Sequence, residues 1–277
     1  MKVIKSIVGN KSAFIGITIM FIFILLAVFA PCIVRVSPTE MSVNTLSYPY
    51  REHLLGTNDI GQDILSRIIY GARHSVLISM SVGFITVTIS IIFGSLGALV
   101  GGIIDRGIMR VTDIFLAVPE LIICLLISAV INPSKFTLIM ILSFLQWPVS
   151  LKIIRASVIK EKNNNYVLAS KIFGANNSYI MYRHIIKGIV PVIVSMFIRN
   201  ATIAVFMESG LAFLGLLDPS TISWGKIIAD AMAYTYLPIW KNWLLPSGII
   251  LSIFVVSMSY IGFYVEDYAF SARKESL

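Results

Sequence analysis

The sequence predicts an all-α polytopic membrane protein with six transmembrane helices, and three observations carry that prediction. Of 277 residues, 57% are hydrophobic and only 13% charged, whereas an ordinary soluble domain carries about 25% charged residues. The mean hydropathy is correspondingly high, +0.87. Uncharged runs recur at the roughly 20-residue length that a bilayer core demands of one helix. The third observation is the charge, 22 Lys and Arg against 14 Asp and Glu for a net +8, because it sorts by side once the runs are drawn as helices. This composition argues against a soluble enzyme, a disordered chain and a disulfide-stapled secreted module.

The first span lies between Lys11 and Arg35, 23 residues free of Asp, Glu, Lys and Arg. Lys2, Lys5 and Lys11 precede it as they would a signal peptide, but it exceeds the usual apolar region of about 7–15 residues and no small-x-small cleavage motif follows. It is read as an uncleaved helix, and Pro31 ahead of Cys32 argues against a lipoprotein. In residues 53–75, Asp59 is expected to cap a helix start. Ile60, Ile64, Leu65, Ile68 and Ile69 then form one apolar stripe, either on a short surface helix or, better on physical grounds alone, on an interfacial ramp into the second span.

The second span has 31 uncharged residues between Arg73 and Asp105, enough for one helix. Gly94, Gly97 and Gly101 are expected to let neighbouring helices approach closely. A third span runs from Asp113 to Lys135, interrupted by Glu120 beside Pro119. The fourth, Phe136 to Leu151, has 16 residues and spans only if Lys135 and Lys152 snorkel to opposite interfaces. The fifth runs from about Gly188 to Leu216 and the sixth from Trp243 to Val265.

Between the fourth and fifth spans, residues 152–187 open with Lys152, Arg155, Lys160 and Lys162 and break at Asn163-Asn164-Asn165. A helix resumes at Tyr166, places Tyr166, Ala169, Ser170 and Phe173 on one face, and stops at Gly174, a natural C-cap. A second short helix from about Ser178 to Lys187 is expected before Pro191 begins the fifth span. After that span, Pro219 and Gly225 are expected at turns, and Trp224 suits an aromatic belt at the bilayer interface.

With the N-terminus inside, 14 of the 22 basic residues fall on inner segments (1–11, 105–113, 152–187 and 266–277) and 7 on outer ones. Acidic residues divide 6 and 6, so the inner face carries +8 and the outer +1. Basic residues near helix ends set orientation, which predicts both termini on the cytoplasmic side. The expected organisation is an N-terminal helix with its outer segment (1–73), a transmembrane domain (74–265) holding the loop 152–187, and a cytoplasmic tail (266–277). A nucleic-acid partner would need a basic soluble face with stacking aromatics, and the chain offers none.

Catalytic motifs are absent: there is no phosphate-binding loop, H-E-x-x-H helix, G-x-S-x-G elbow or C-x-x-C pair. Cys32 and Cys124 lie in apolar stretches and read as small buried hydrophobes. His53, His74 and His184 are far apart in sequence and assigned to both sides of the membrane, so no metal site is expected. Arg199 and Glu208, nine residues apart, lie about 180° around one helix and each needs a partner from elsewhere. As ionisable groups within a span they are candidates either for a translocation path or for fixing helix contacts.

The segment His53-Leu-Leu-Gly56-Thr57-Asn-Asp59-Ile-Gly61-Gln-Asp63, then Ser66-Arg67 and Gly71-Ala-Arg73, resembles the signature before the second helix of the C-type permease subunit of binding-protein-dependent ABC importers for dipeptides, oligopeptides and nickel. Phe213-Leu-Gly215 with Ser223-Trp-Gly225 resembles a second signature of that family, and the likeness covers nearly the whole chain. Residues 166–191 resemble its EAA loop, which docks on the ATPase subunit, with Ala169, Gly174, Arg183, His184, Ile185 and Pro191 at matching positions. Leu168 stands where the family usually has Glu, Ser170 where it has a second Ala, and Lys187 where Pro is frequent.

The resemblance implies the type I ABC importer permease fold in a prokaryotic cell membrane. It implies a transport subunit with no enzymatic site and no cofactor of its own, ATP being used by partner subunits. The implied partners are the lipid bilayer, a sister permease in a heterodimer, two ABC ATPase subunits and an extracytoplasmic solute-binding protein. Tyr166, Ala169, Ser170, Phe173, Gly174, His184 and Pro191 would form the ATPase-coupling element, and the cargo would be a peptide, nickel or a metal chelate. An ion-coupled secondary transporter using Glu208 and an intramembrane enzyme are the alternatives from other classes; the latter lacks convergent polar residues at one depth.

Overall fold

The computed structural model describes residues 11–131 and 133–274. Among them the regular elements are helices, with one isolated antiparallel bridge between Thr57 and Asp63. In order these are α1 (Lys11–Ile33), α2 (Ile64–Val100), α3 (Gly102–Leu116), α4 (Glu120–Ile131), α5 (Lys135–Lys162), α6 (Asn165–Ile172) and α7 (Asn177–Ile180). A π-helical turn (Met181–Ile185) joins α7 to α8 (Ile186–Phe213), followed by α9 (Trp224–Met232) and α10 (Trp240–Lys274). Five helices are long and apolar enough to cross a membrane, and α3 with α4, bent by 71°, makes a sixth if the pair is one span.

The chain divides into two compact units. In the first (Met1–Met80, Leu125–Leu138 and Thr202–Ile261), α1 buries a narrow stripe of Ala13, Gly16, Met20, Phe23 and Ala30. At Gly16 a Cβ would lie 2.9 Å from the Ser257 carbonyl oxygen of α10, so only glycine permits this approach. Phe23, Phe254 and Trp224 meet edge to face with centroids 5.4 Å apart. Ile64, Ile68, Ile227, Ala231 and Trp243 form the adjoining apolar core.

In the second unit (Ser81–Cys124, Ile139–Ala201 and Gly262–Leu277), α2 and α5 touch at Gly94, where a Cβ would sit 3.2 Å from the Leu151 carbonyl oxygen. Ser90 Oγ donates to the Trp147 carbonyl (3.2 Å) and Asn200 Nδ2 to Ser150 Oγ (2.7 Å), so polar side chains link helices where hydrocarbon gives no solvent. Val87, Ala98, Ile154, Val158, Ile185, Ile189 and Met196 fill the core beside them. Pro148 and Pro191 lie inside α5 and α8, as spanning helices tolerate.

Several sequence-based expectations are corrected. Asp59 does not cap a helix: Asp63 does, its Oδ2 accepting from Ser66 N (2.7 Å). Ile64, Leu65, Ile68 and Ile69 lie in the first turns of α2, as the ramp reading expects, with Ile64 and Ile68 buried, while Ile60 stays exposed in the preceding turn. Residues 105–113, assigned to an inner segment between spans, are helical and lie within α3, with Asp105 paired with Arg155 (2.5 Å) and Asp113 with Lys152 (2.8 Å). The expected fourth and sixth spans extend into the longer α5 and α10, and Pro191 does not start a new helix, since α7, the π turn and α8 run continuously. Gly101 meets no neighbour within 4 Å and has φ +71°, so it ends α2 rather than easing helix contact.

Trp224 is 0% exposed, not an interfacial anchor. Its indole N–H donates to the Ile68 carbonyl (3.0 Å) and its backbone N–H to Ser75 Oγ (3.2 Å). Gly225 lies inside α9 instead of at a turn, because any side chain there would run into the Ser209 backbone. Cys32 is exposed, unlike the buried Cys124. Lys2 and Lys5 and the final three residues of the expected tail lie outside the described residues.

Gly225→Val is expected to destabilise the protein by about 1–3 kcal/mol through overpacking. Gly248→Ala, whose Cβ meets nothing within 4 Å, leaves the melting temperature in detergent unchanged or slightly raised; differential scanning fluorimetry distinguishes the two.

Candidate functional site

The 152–187 segment folds into a short helix held out on a stiff base. α5 ends at Lys162, and the chain turns through Asn163 and Asn164, with Asn164 N donating to the Glu161 carbonyl at 3.1 Å. α6 then directs Val167 into the core. Its end is a Schellman motif: Ala175 N donates to the Ser170 carbonyl (3.1 Å) and Gly174 N to that of Lys171 (3.0 Å). Gly174 sits at φ +86° with open space around it, so its role is backbone conformation, since other L-residues pay a steric penalty there. Asn176 then caps the next helix, its Oδ1 accepting from Tyr179 N at 2.7 Å.

Of the sequence-predicted residues, Tyr166, Ser170 and His184 come together. The His184 ring lies 3.2 Å from Ser170 Oγ and is flanked by Tyr166 and Tyr179, centroids 5.7 and 5.9 Å away. The Tyr166 hydroxyl donates to Glu161, a buried carboxylate that sequence reasoning passed over. Burial and that carboxylate raise the Tyr166 pKa above its ordinary value, so the hydroxyl stays a donor at neutral pH. Ala169 and Phe173 face outward, and Phe173 is 90% exposed. Beside them stand Ile172, 84% exposed, and Leu168, 44% exposed, making an apolar knuckle at the bend. Ile172 belongs to it by helical spacing, a signal present in the sequence. Pro191 is half-buried within α8.

The 53–73 signature builds a hydrogen-bonded set of turns that leads into α2. Gly56 (φ +85°) and Gly61 (φ +80°) lie against the Ser47 and Ser42 carbonyls, where a side chain would overlap backbone oxygen. Thr57 Oγ1 donates to the Asn44 carbonyl (2.6 Å) and accepts from Ser47 N (3.1 Å). Asp63 also pairs with His53 Nδ1 (2.8 Å), and Asp59 Oδ2 accepts from the Tyr234 hydroxyl (3.3 Å). Buried Arg67 reaches Gln62 and approaches Asp230 (3.7 Å). Gly71 lies against Trp224 and Ile227, whose side chains would stand 3.3 Å from a Cβ placed there, while exposed Arg73 covers the Tyr70 ring at 5.3 Å.

The second signature acts in the same way. Gly215, at φ +71°, closes α8 with another Schellman motif: Leu216 N donates to the Leu211 carbonyl (2.9 Å) and Gly215 N to that of Ala212 (3.0 Å). Glu208 is 0% exposed, its Oε1 4.0 Å from His74 Nε2, whereas Arg199 is exposed and its guanidinium lies 3.5 Å from Asn200 Oδ1. The two charged residues thus have separate neighbours, as their spacing around the helix requires.

Residues 86–269 match a family described as binding-protein-dependent transport system inner membrane component. The oligopeptide transport system permease protein OppC of Bacillus subtilis (strain 168) is 35% identical over 245 residues, 87% of this chain and 80% of that protein. The dipeptide transport system permease protein DppC of Alkalihalophilus pseudofirmus is 33% identical over 270 residues, 95% of this chain and 86% of its own length. The DppC protein of Haemophilus influenzae is 34% identical over 273 residues, covering 93% and 90% respectively.

Gly174→Val is expected to cost about 1–2 kcal/mol at the left-handed position and to speed amide hydrogen exchange at residues 174 and 175. Gly174→Asn, which tolerates that conformation, is expected to lose much less protection.

Proposed function

Because the chain belongs to the binding-protein-dependent transport system inner membrane component family, the translocation component of ABC importers, we propose that it forms half of a heterodimeric path for peptides and docks an ATPase subunit through α6. The observation that carries the docking reading is the knuckle of Leu168, Ile172 and Phe173. Three apolar side chains stand in solvent at the tip of a short helix, while a Schellman cap, a Tyr–Glu bond and a histidine ring tilted against Tyr166 brace that helix. A rigid apolar protrusion is an interaction surface at low entropic cost.

Energy enters through the partners, since this chain has no phosphate-binding loop and uses no ATP itself. The partners are a sister permease, two ATPase subunits and an extracytoplasmic solute-binding protein. Half of the inner basic residues, 7 of 14, lie in 152–187, which by the positive-inside rule supports reading α6 and both termini as cytoplasmic. Leu168 occupies the position where the family usually carries Glu, so this contact relies on apolar area more than on a charge. Peptide is the cargo carried over from the relatives' names, with nickel as the competing arm.

An affinity-tagged chain is expected to co-purify with an ATPase subunit from its native membrane. Phe173→Glu, on a side chain too exposed to matter for folding, should weaken that association by about 2 kcal/mol, near thirtyfold. Retained association would sink the docking assignment. Uptake of a radiolabelled dipeptide, but not of free or chelated nickel, by cells carrying the complete importer is expected, and loss of nickel uptake alone on deletion of this chain would refute the peptide reading.

A further inference from the structure

The last carbonyls of α2 have no helical donors of their own, and Lys162 Nζ supplies them, donating to Ala98 O (2.9 Å) and Leu99 O (3.2 Å). A lysine ammonium there also meets the negative end of the helix dipole. Immediately beyond, Gly101 (φ +71°) and Gly102 (φ +59°) form a turn with no atom within 4 Å of either Cβ position. No close neighbour requires glycine at these two sites, so their conformation alone does, and the pair has the features of a hinge. On its far side Arg155 holds Asp105 of α3 through two bonds, 2.6 and 2.5 Å. α5 therefore grips both sides of the Gly101–Gly102 turn.

One residue before Lys162, Glu161 is turned to other elements. It accepts from the Tyr166 hydroxyl of α6 and lies on Gly188 of α8, where any Cβ would overlap its carboxylate. Two consecutive side chains at the end of α5 thus connect α6 and α8 on one hand to the end of α2 on the other. From this juxtaposition we propose that Glu161, Lys162 and Tyr166 are positioning residues forming the joint that carries movement of α6 to the Gly101–Gly102 hinge. The inference rests on reading α6 as the ATPase-docking helix.

The test uses the importer assembled with its ATPase subunits in lipid nanodiscs, with Arg106→Cys as a labelling site just beyond the hinge in a Cys32→Ser, Cys124→Ser background. In this otherwise unaltered chain, adding ATP and vanadate, which traps ADP after hydrolysis with vanadate in place of the released phosphate, is expected to change the maleimide labelling rate by about fivefold or more, the lower end of typical coupling between sites. Lys162→Met and Tyr166→Phe should each reduce that response to under about twofold, while ATPase co-purification and ATP hydrolysis persist in Lys162→Met. Lys162→Arg should restore the response. A full nucleotide response in both Lys162→Met and Tyr166→Phe overturns the joint. A Lys162→Met chain that loses ATPase binding together with the response also overturns it, leaving a role in folding. If the ATPase fails to co-purify even with the unaltered chain, the docking reading itself falls.

Discussion

No water reaches the hydrocarbon core of a bilayer, so a chain crossing it must satisfy each backbone N–H and C=O within its own helix. That constraint explains why long helices dominate this protein and why each departure from them has an identifiable device. At Gly101–Gly102 the device is positive φ together with a lysine capping the freed carbonyls. At Gly174 and Gly215 it is the Schellman motif, which reuses the last carbonyls as acceptors. Pro119 opens α4, its carbonyl accepting from Ile122 N at 3.1 Å.

The same absence of water governs how helices meet. Lipid tails are as apolar as leucine, so burying leucine against leucine gains little, and close approach and polar links matter more. Glycines accordingly mark close helix contacts: Gly16 on Ser257, Gly83 on Phe197, Gly94 on Leu151 and Gly225 on Ser209. Serine, threonine and asparagine hydroxyls and amides fill the gaps between them, as at Ser90–Trp147 and Asn200–Ser150. Glu208 and His74 extend this logic to ionisable groups, facing each other at 4.0 Å inside the first unit.

Function follows from where rigidity and exposure coincide. The 53–63 segment is stiff and largely buried, and its signature residues are spent on their own turns and caps. The α6 element is equally stiff yet presents Leu168, Ile172 and Phe173 to solvent. On the proposed docking reading, this is the part that a partner ATPase would grip.

Class, five of the six spans, the break at Asn163 and the stop at Gly174 were legible in the sequence, because hydropathy, helix length and left-handed glycine are local properties. Family signatures were legible as well, although not what their residues do. Asp59 and Asp63 are equally good caps on paper, and only the folded 41–63 segment, with Asp63 beside His53 and Ser66, selects between them. Trp224 reads as an interfacial anchor until Ile68 and Ser75 surround it. Glu161 reads as one more solvated charge in a basic loop until Tyr166 and Gly188 close over it. Local sequence determined which segments are helical and where they stop. Tertiary structure decided which polar side chains are buried, because burial depends on neighbours as far as 156 and 175 residues away that no local pattern contains.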